Sequence, residues 1–199
     1  MLRKLNLIAS FKLFITSILL FSTTIASEVF ANAGMLIMVQ NTNGTFVLLE
    51  RDRDRDYFEF PGGTTEIAQS LTSQNTIVES AYETALRETV EETRGYLGRR
   101  ELMAASDPVK WRIEIDDFVI FRVKTEMFDL NNILSIKIPA RNNGHWTPML
   151  EIIDYAWVDI NLILHSKLSK VVDTKGREIQ VRSNLPEYIK LAKKKGWFL

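Results

Sequence analysis

Between residues 34 and 95 the hydrophobic period of the chain changes from strand-like to helical, and that change limits the folds open to it. The apolar runs 35–39 and 45–50 flank Asn41-Thr42-Asn43-Gly44. Asn-Gly between two apolar runs is a hairpin signal, because a tight hairpin turn needs residues that tolerate positive φ. Residues 57–60 form a further extended piece, stopped by Pro61-Gly62-Gly63. The polar stretch 64–76, rich in Ser, Thr and Gln, reads as a loop. From Glu79 to Arg94 the residues Ala81, Ala85, Leu86 and Val90 recur at helical spacing, with Gly95 as the stop. The pattern predicts an α/β (α+β) domain with helices packed on a mixed, curved sheet.

The rest of the chain continues the alternation. Residues 102–105, 111–115 and 118–124 read as strands, 131–144 as irregular, 154–158 as a short strand and 161–167 as a short helix. Residues 178–182 read as a last strand or edge. The closing helix, 185–195, turns Leu185, Ile189 and Ala192 inward and Lys190, Lys193, Lys194 and Lys195 outward. With 199 residues and no repeat or linker, the chain has room for one core of ordinary size.

The first 33 residues have their own logic. Arg3, Lys4 and Lys12 precede an uncharged stretch over 13–26, and Ala31-Asn32-Ala33 supplies a small-x-small exit. Fourteen residues fall short of the roughly 20 that a spanning helix needs. The layout predicts a secretory leader over 1–33 and a domain over 34–199, hence a periplasmic or secreted product. The alternatives are an uncleaved membrane anchor, with membrane contact through this segment alone, and a buried helix of a cytoplasmic chain.

Composition narrows the chemistry. Lys+Arg and Asp+Glu are 25 each, which leaves no general nucleic-acid-binding footprint. Cysteine is absent and only His145 and His165 are present, so thiol catalysis and a multi-histidine zinc site are excluded. Any metal is a hard cation held by oxygen.

Three oxygen donors stand together. Glu88, Glu91 and Glu92 lie at i, i+3 and i+4 of the predicted helix, so their carboxylates share one face. Like charges at that spacing cost roughly 0.2–0.5 kcal/mol per pair. The helix C-terminus disfavours anions as well. A divalent cation reverses that sign, since clustered carboxylate oxygens are what it binds. The structural alternative is a solvated acidic face partnered by Arg87 and Arg94. Gly62-Gly63, just ahead, lets backbone approach closely, as a phosphate or metal site requires.

Pro61-Gly62-Gly63, then Glu79, then Arg87-Glu88-Thr89-Val90-Glu91-Glu92 resembles the signature of the Nudix hydrolases, G-x5-E-x7-R-E-U-x-E-E-x-G-U, where U is bulky and apolar. The seven residues between Glu79 and Arg87 match the family spacing. Phe58-Glu59-Phe60 is similar to the family lead-in to the turn, and Glu66 to an extra acid just after it. Glu151, six residues before Trp157, resembles the late glutamate of many members. The chain departs from the pattern in three places. Fifteen residues separate Gly63 from Glu79 where the pattern has five, Thr89 stands at an apolar position, and Arg94 stands where glycine is expected, with Gly95 one place later. A longer loop costs little entropy, so the insertion need not move the helix, and Gly95 is expected to take the left-handed cap.

The resemblance implies a Nudix-like α/β/α sandwich and a Mg²⁺- or Mn²⁺-dependent hydrolase that cleaves the diphosphate of a nucleoside diphosphate linked to another moiety. It implies metal ligands at Glu88, Glu92 and Glu91, joined by the Gly62 carbonyl, and a base at Glu91 or Glu151. Glu79 and Arg87 take an architectural role as an ion pair. Within Arg51-Asp52-Arg53-Asp54-Arg55-Asp56, Arg51 and Arg55 are candidates to grip phosphate, against a self-paired solvated loop. Trp111, Trp146 and Tyr155 are candidates to stack on a base, against ordinary packing. Asp107-Pro108 carries no substrate assignment. The expected partner is a nucleotide-type small molecule. The competing reading is a Nudix-like module that binds a nucleotide or a protein without turnover. The complete glutamate set favours the enzyme.

Overall fold

A computed structural model describes residues 31–69, 76–138, 151–166 and 169–198. The uncharged stretch 13–26, Trp146 and His145 lie outside the described residues. Strands β1 (Asn32–Asn41), β2 (Gly44–Asp52), β3 (Gly62–Thr64), β6 (Arg112–Ile115), β7 (Phe118–Lys124) and β8 (Ile152–Asp159) form the main sheet. Its order is β6-β7-β1-β2-β8, with β3 paired to the start of β1. β1 runs parallel to β7 and antiparallel to β2 and β3, so the sheet is mixed.

The side-chain alternation of the strands sorts the core into two layers. From β1, Leu36 and Met38 face one side with Val47 and Leu49 of β2, under helices α4 (Ile160–His165) and α5 (Leu185–Lys194). Met35, Ile37 and Val39 face the other side with Leu48 and Trp157, under α1 (Ala81–Glu92), α2 (Arg99–Ala105) and α3 (Leu130–Leu134). Because β1 is covered on both faces, its apolar run is continuous, as a central strand requires. The architecture is the expected α/β/α sandwich on a mixed sheet. Ala33 is fully buried, and the Ala31 carbonyl accepts from Thr65 N, so the strand starts ahead of the 35–39 run.

Four local expectations are corrected. Residues 102–105 belong to α2, not to a strand: Arg99, Arg100, Glu101, Leu102 and Met103 are strong helix formers without a β-branched member. Residues 131–134 lie in a short helix, capped by Asp129 through the Asn131 amide. The expected loop 64–76 ends strand β3, and β4 (Ile67–Gln69) then pairs with β5 (Thr76–Val78) as an antiparallel ribbon. α1 starts at Ala81 with Ser80 as cap, so Glu79 stands just outside the helix. β9 (Lys170–Val172) and β10 (Glu178–Gln180) form a separate two-stranded ribbon. No helix among the described residues is long and apolar enough to cross a membrane.

Candidate active site

The Pro-Gly-Gly turn is squeezed between β1 and α1. A Cβ on Gly62 would stand 2.8 Å from the Gly34 Cα and 2.9 Å from the Ala33 carbonyl oxygen, so only glycine fits. A Cβ on Gly63 would stand 2.3–2.6 Å from the Glu88 carboxylate. Gly62 N donates to Glu92 Oε2 at 2.7 Å. Two glutamates one helical turn apart therefore rest on the two glycines of the turn.

Arg87 organises the remaining carboxylates. Its Nη2 donates to Glu79 Oε2 and to the Thr64 carbonyl, both at 3.0 Å, and its Nη1 to Glu88 Oε1 at 2.8 Å and Glu91 Oε2 at 3.3 Å. Burial works against ionisation of Glu79, but Arg87, the Glu66 amide and the Thr84 hydroxyl outweigh it and hold the carboxyl below its usual range. Glu66 N donates to Glu79 Oε2 at 3.3 Å and Glu79 N to the Glu66 carbonyl at 3.1 Å. This reciprocal pair closes the base of the β4–β5 ribbon, so the inserted residues leave the turn and the helix in register. The Glu79–Arg87 ion pair joins that base to the helix.

A carboxylate absent from the sequence expectations lies beneath the helix. Glu50 of β2 is only 3% exposed, its carboxyl meets that of Glu92, and its Oε2 has no hydrogen-bond donor. Burial pushes Glu50 up to about 8, against the partial relief of Glu92 and Arg55. Burial, with the charges of Glu50 and Glu88, raises Glu92 well above the carboxylate range. Burial raises Glu88 as well, against the pull of Arg87. The signal for Glu50 was an acid ending an otherwise apolar strand, at the parity of buried Leu48.

Tyr155 is fully buried and its hydroxyl donates to the Glu92 carbonyl. It pins the helix end and is not free to stack on a base. The C-terminus of α1 departs from expectation too. Arg94 N donates to the Glu91 carbonyl and Gly95 N to the Val90 carbonyl, the bonding of a Schellman cap. The left-handed residue following the cap is thus Arg94, at φ 54°, with Gly95 next at φ 74°. Its guanidinium donates to the Leu134 carbonyl at 3.1 Å and the Ile152 carbonyl at 2.9 Å.

On the other side of the turn lies a cleft of about 250 Å³, lined by Gly62, Gly63, Arg55, Phe60, Phe118, Arg182 and Tyr188 among others. Phe118 and Tyr188 stack with centroids 6.2 Å apart, and Phe60 meets both edge-on. Arg55 and Arg182 both pair with Glu59, Arg182 at 2.6 Å; Arg55 also pairs with Asp52 at 3.7 Å, and Asp116 and Asp117 line the same cleft. Arg182 and Tyr188 were not among the sequence candidates; their distance from the turn in sequence hid them. Arg51 lies over the Phe58 ring and pairs with Asp154 at 3.8 Å, outside the cleft lining. Trp111 stacks against Arg122, with the guanidinium 3.3 Å from the ring centroid. Asp107 caps the Val109 and Lys110 amides. Burial raises Glu151 above its usual range, and Asp52, Asp54 and Glu91 add to it.

The donor set is all hard oxygen and includes one buried oxygen without a donor, which suits Mg²⁺ or Mn²⁺. Among the described residues no three such side chains are already placed around a single ion. Glu92 is turned to the Gly62 amide and Glu88 to Arg87 instead.

No family profile matches the chain, and no curated protein matches it in sequence. Solved structures do. A binary complex of an Ap4A hydrolase from C. elegans is 11% identical with a TM-score of 0.44, the match covering 84% of this chain and 98% of that one. A bifunctional NMN adenylyltransferase/ADP ribose pyrophosphatase from Francisella tularensis, complexed with AMP and a Mn ion, is 14% identical with a TM-score of 0.45. That match covers 96% of this chain and 48% of the longer protein. The pyrophosphohydrolase BsRppH of Bacillus subtilis is 18% identical with a TM-score of 0.41, covering 90% of each chain. The chain's own geometry is a glutamate helix seated on a Pro-Gly-Gly turn at one face of a mixed sheet.

Proposed function

We propose that the chain is a Mg²⁺- or Mn²⁺-dependent hydrolase of the Nudix type, acting on the diphosphate of a nucleoside diphosphate linked to another moiety. The observation that carries this reading is the seating of Glu88 and Glu92 on Gly63 and Gly62, beside a cleft at the same turn that Arg55 and Arg182 line together with Glu59, Asp116 and Asp117. Glu88 and Glu92 would hold the cation, with Glu91 and the Gly62 carbonyl beside them. When bound, the cation supplies charge neutralisation at the phosphate oxygens. Arg55 and Arg182 bind the anionic substrate, and Phe118, the half-buried ring of the cluster, accepts its flat portion. Arg87 and Glu79 fix the turn against the helix. Glu151 is the better of the two base candidates, because burial and then its acidic neighbours lift its proton affinity, while Glu91 is held by the Arg87 guanidinium. Export by the N-terminal segment belongs to the same proposal. So does a cut ahead of Ala31, since Ala31, Asn32 and Ala33 are bonded into the sheet.

The test is phosphate release from ADP-ribose, diadenosine polyphosphates, NADH, nucleoside triphosphates and capped or triphosphorylated RNA, with and without Mg²⁺ or Mn²⁺. Glu88→Gln and Glu92→Gln are each expected to lower metal-dependent turnover by about 10²-fold or more with the fold intact. Near-normal turnover in either variant, or binding without release across the whole panel, refutes the reading.

A further inference from the structure

Each carboxylate around the turn except one is matched to a donor. Glu92 accepts from the Gly62 amide, Glu88 and Glu91 from Arg87, and Glu79 from Arg87, Thr84 and the Glu66 amide. Glu59 has Arg55 and Arg182. Glu50 is the exception: it is 3% exposed, its Oε2 has no donor, and its carboxyl meets another carboxyl, that of Glu92. An unmatched buried oxygen costs about 1–3 kcal/mol, and more if charged. Strand β2 has no packing need for that cost, since Leu48 on the same face shows that an apolar side chain fits there.

We infer that Glu50 is a ligand of the divalent cation, a carboxylate brought by strand β2 to the set that Glu88 and Glu92 bring from α1. The inference rests on the hydrolase reading above. It adds a ligand from outside the helix motif, fixed by the sheet rather than by the helix. Pairing with Tyr155 across the β2–β8 ladder holds the Glu50 backbone, and the Tyr155 hydroxyl holds the Glu92 carbonyl, so strand and helix carboxylates are set at one separation. A cation between them supplies the missing partner for Oε2.

The experiment is a Mn²⁺ titration of the full chain, followed by calorimetry and by the electron paramagnetic resonance of free Mn²⁺. Glu50→Gln keeps the shape of the side chain and adds an N–H that can donate to Glu92. A residue that merely positioned Glu92 would therefore bind Mn²⁺ as wild type does when changed to Gln. A ligand would lose affinity, and the expected loss is about tenfold or more, with unfolding in chelator unchanged or shifted upward. Glu50→Met, which removes both oxygens, is titrated in parallel and serves if the Gln variant fails to fold. Affinity within twofold of wild type in either folded variant overturns the inference while leaving the hydrolase reading intact. A wild-type chain that binds no Mn²⁺ overturns both.

Discussion

Arg87 shows how one cation can define the geometry of several acids. It holds Glu79, Glu88, Glu91 and the Thr64 carbonyl together, so the helix and the loop ahead of it act as one piece. Glu50 and Glu92 are placed beyond its reach, and their pairing has a consequence for stability. Both carboxyls titrate above the unfolded value of 4.5, Glu50 at about 8. Between those limits the folded chain holds protons that the unfolded chain has released, so stability falls as pH rises, by up to about 1.4 kcal/mol per pH unit for each proton. Thermal unfolding in chelator is expected to show a melting temperature that declines from about pH 5 to about pH 8, with a shallower decline in Glu50→Gln; a level profile for the wild type contradicts it. At this scale the sequence disclosed the helix acids and Arg87, because their spacing is local. Glu50 and Arg182 were hidden, since their roles come from strand pairing and from a turn more than a hundred residues away in the case of Arg182.

Among the elements, α1 is the one whose ends matter most. Ser80 caps its start through the Glu83 amide at 3.2 Å, and its end is closed by a left-handed Arg94 where glycine would be at ease. The strain of order 1 kcal/mol in that conformation is offset by two hydrogen bonds from the guanidinium to carbonyls of α3 and β8. Arg94→Ala keeps the backbone strain and loses both bonds. It is expected to destabilise the chain by about 1–3 kcal/mol, read from urea unfolding with an unchanged m-value. Arg94→Gly relieves the strain and should recover roughly 1 kcal/mol of that loss. The displaced glycine was visible in the sequence, but its meaning was not, because the acceptors that make Arg94 tolerable, Leu134 and Ile152, are supplied by other elements. Residues 102–105 failed for a simpler reason: Leu102-Met103-Ala104-Ala105 is too short for its period to separate a strand from a buried helix.

For the whole molecule, the apolar runs of β1, β2, β7 and β8 were legible and predicted helices packed on a mixed sheet, while the sandwich was an expectation from the resemblance. The start of that sheet was not legible, since Asn32 and Ala33 look like a leader exit and owe their strand state to Phe118, Val119, Gly63 and Thr64. A chain beginning at Gly34 loses the buried Ala33 and the Asn32 N to Asp117 carbonyl bond. It is expected to melt several degrees below a chain beginning at Ala31, by about 1–3 kcal/mol; equal melting curves for the two would count against it.

The central position of β1 also sets an order of events during synthesis. Its parallel partner begins 86 residues later, at Phe118, and β8 closes the sheet only after Ile152 has been made. The hairpin of β1 with β2 is local, but its parallel ladder waits for β7, and contacts of such long range make for slow folding. Until Phe118 and the residues after it exist, the apolar first strand has its hairpin partner but not its parallel one.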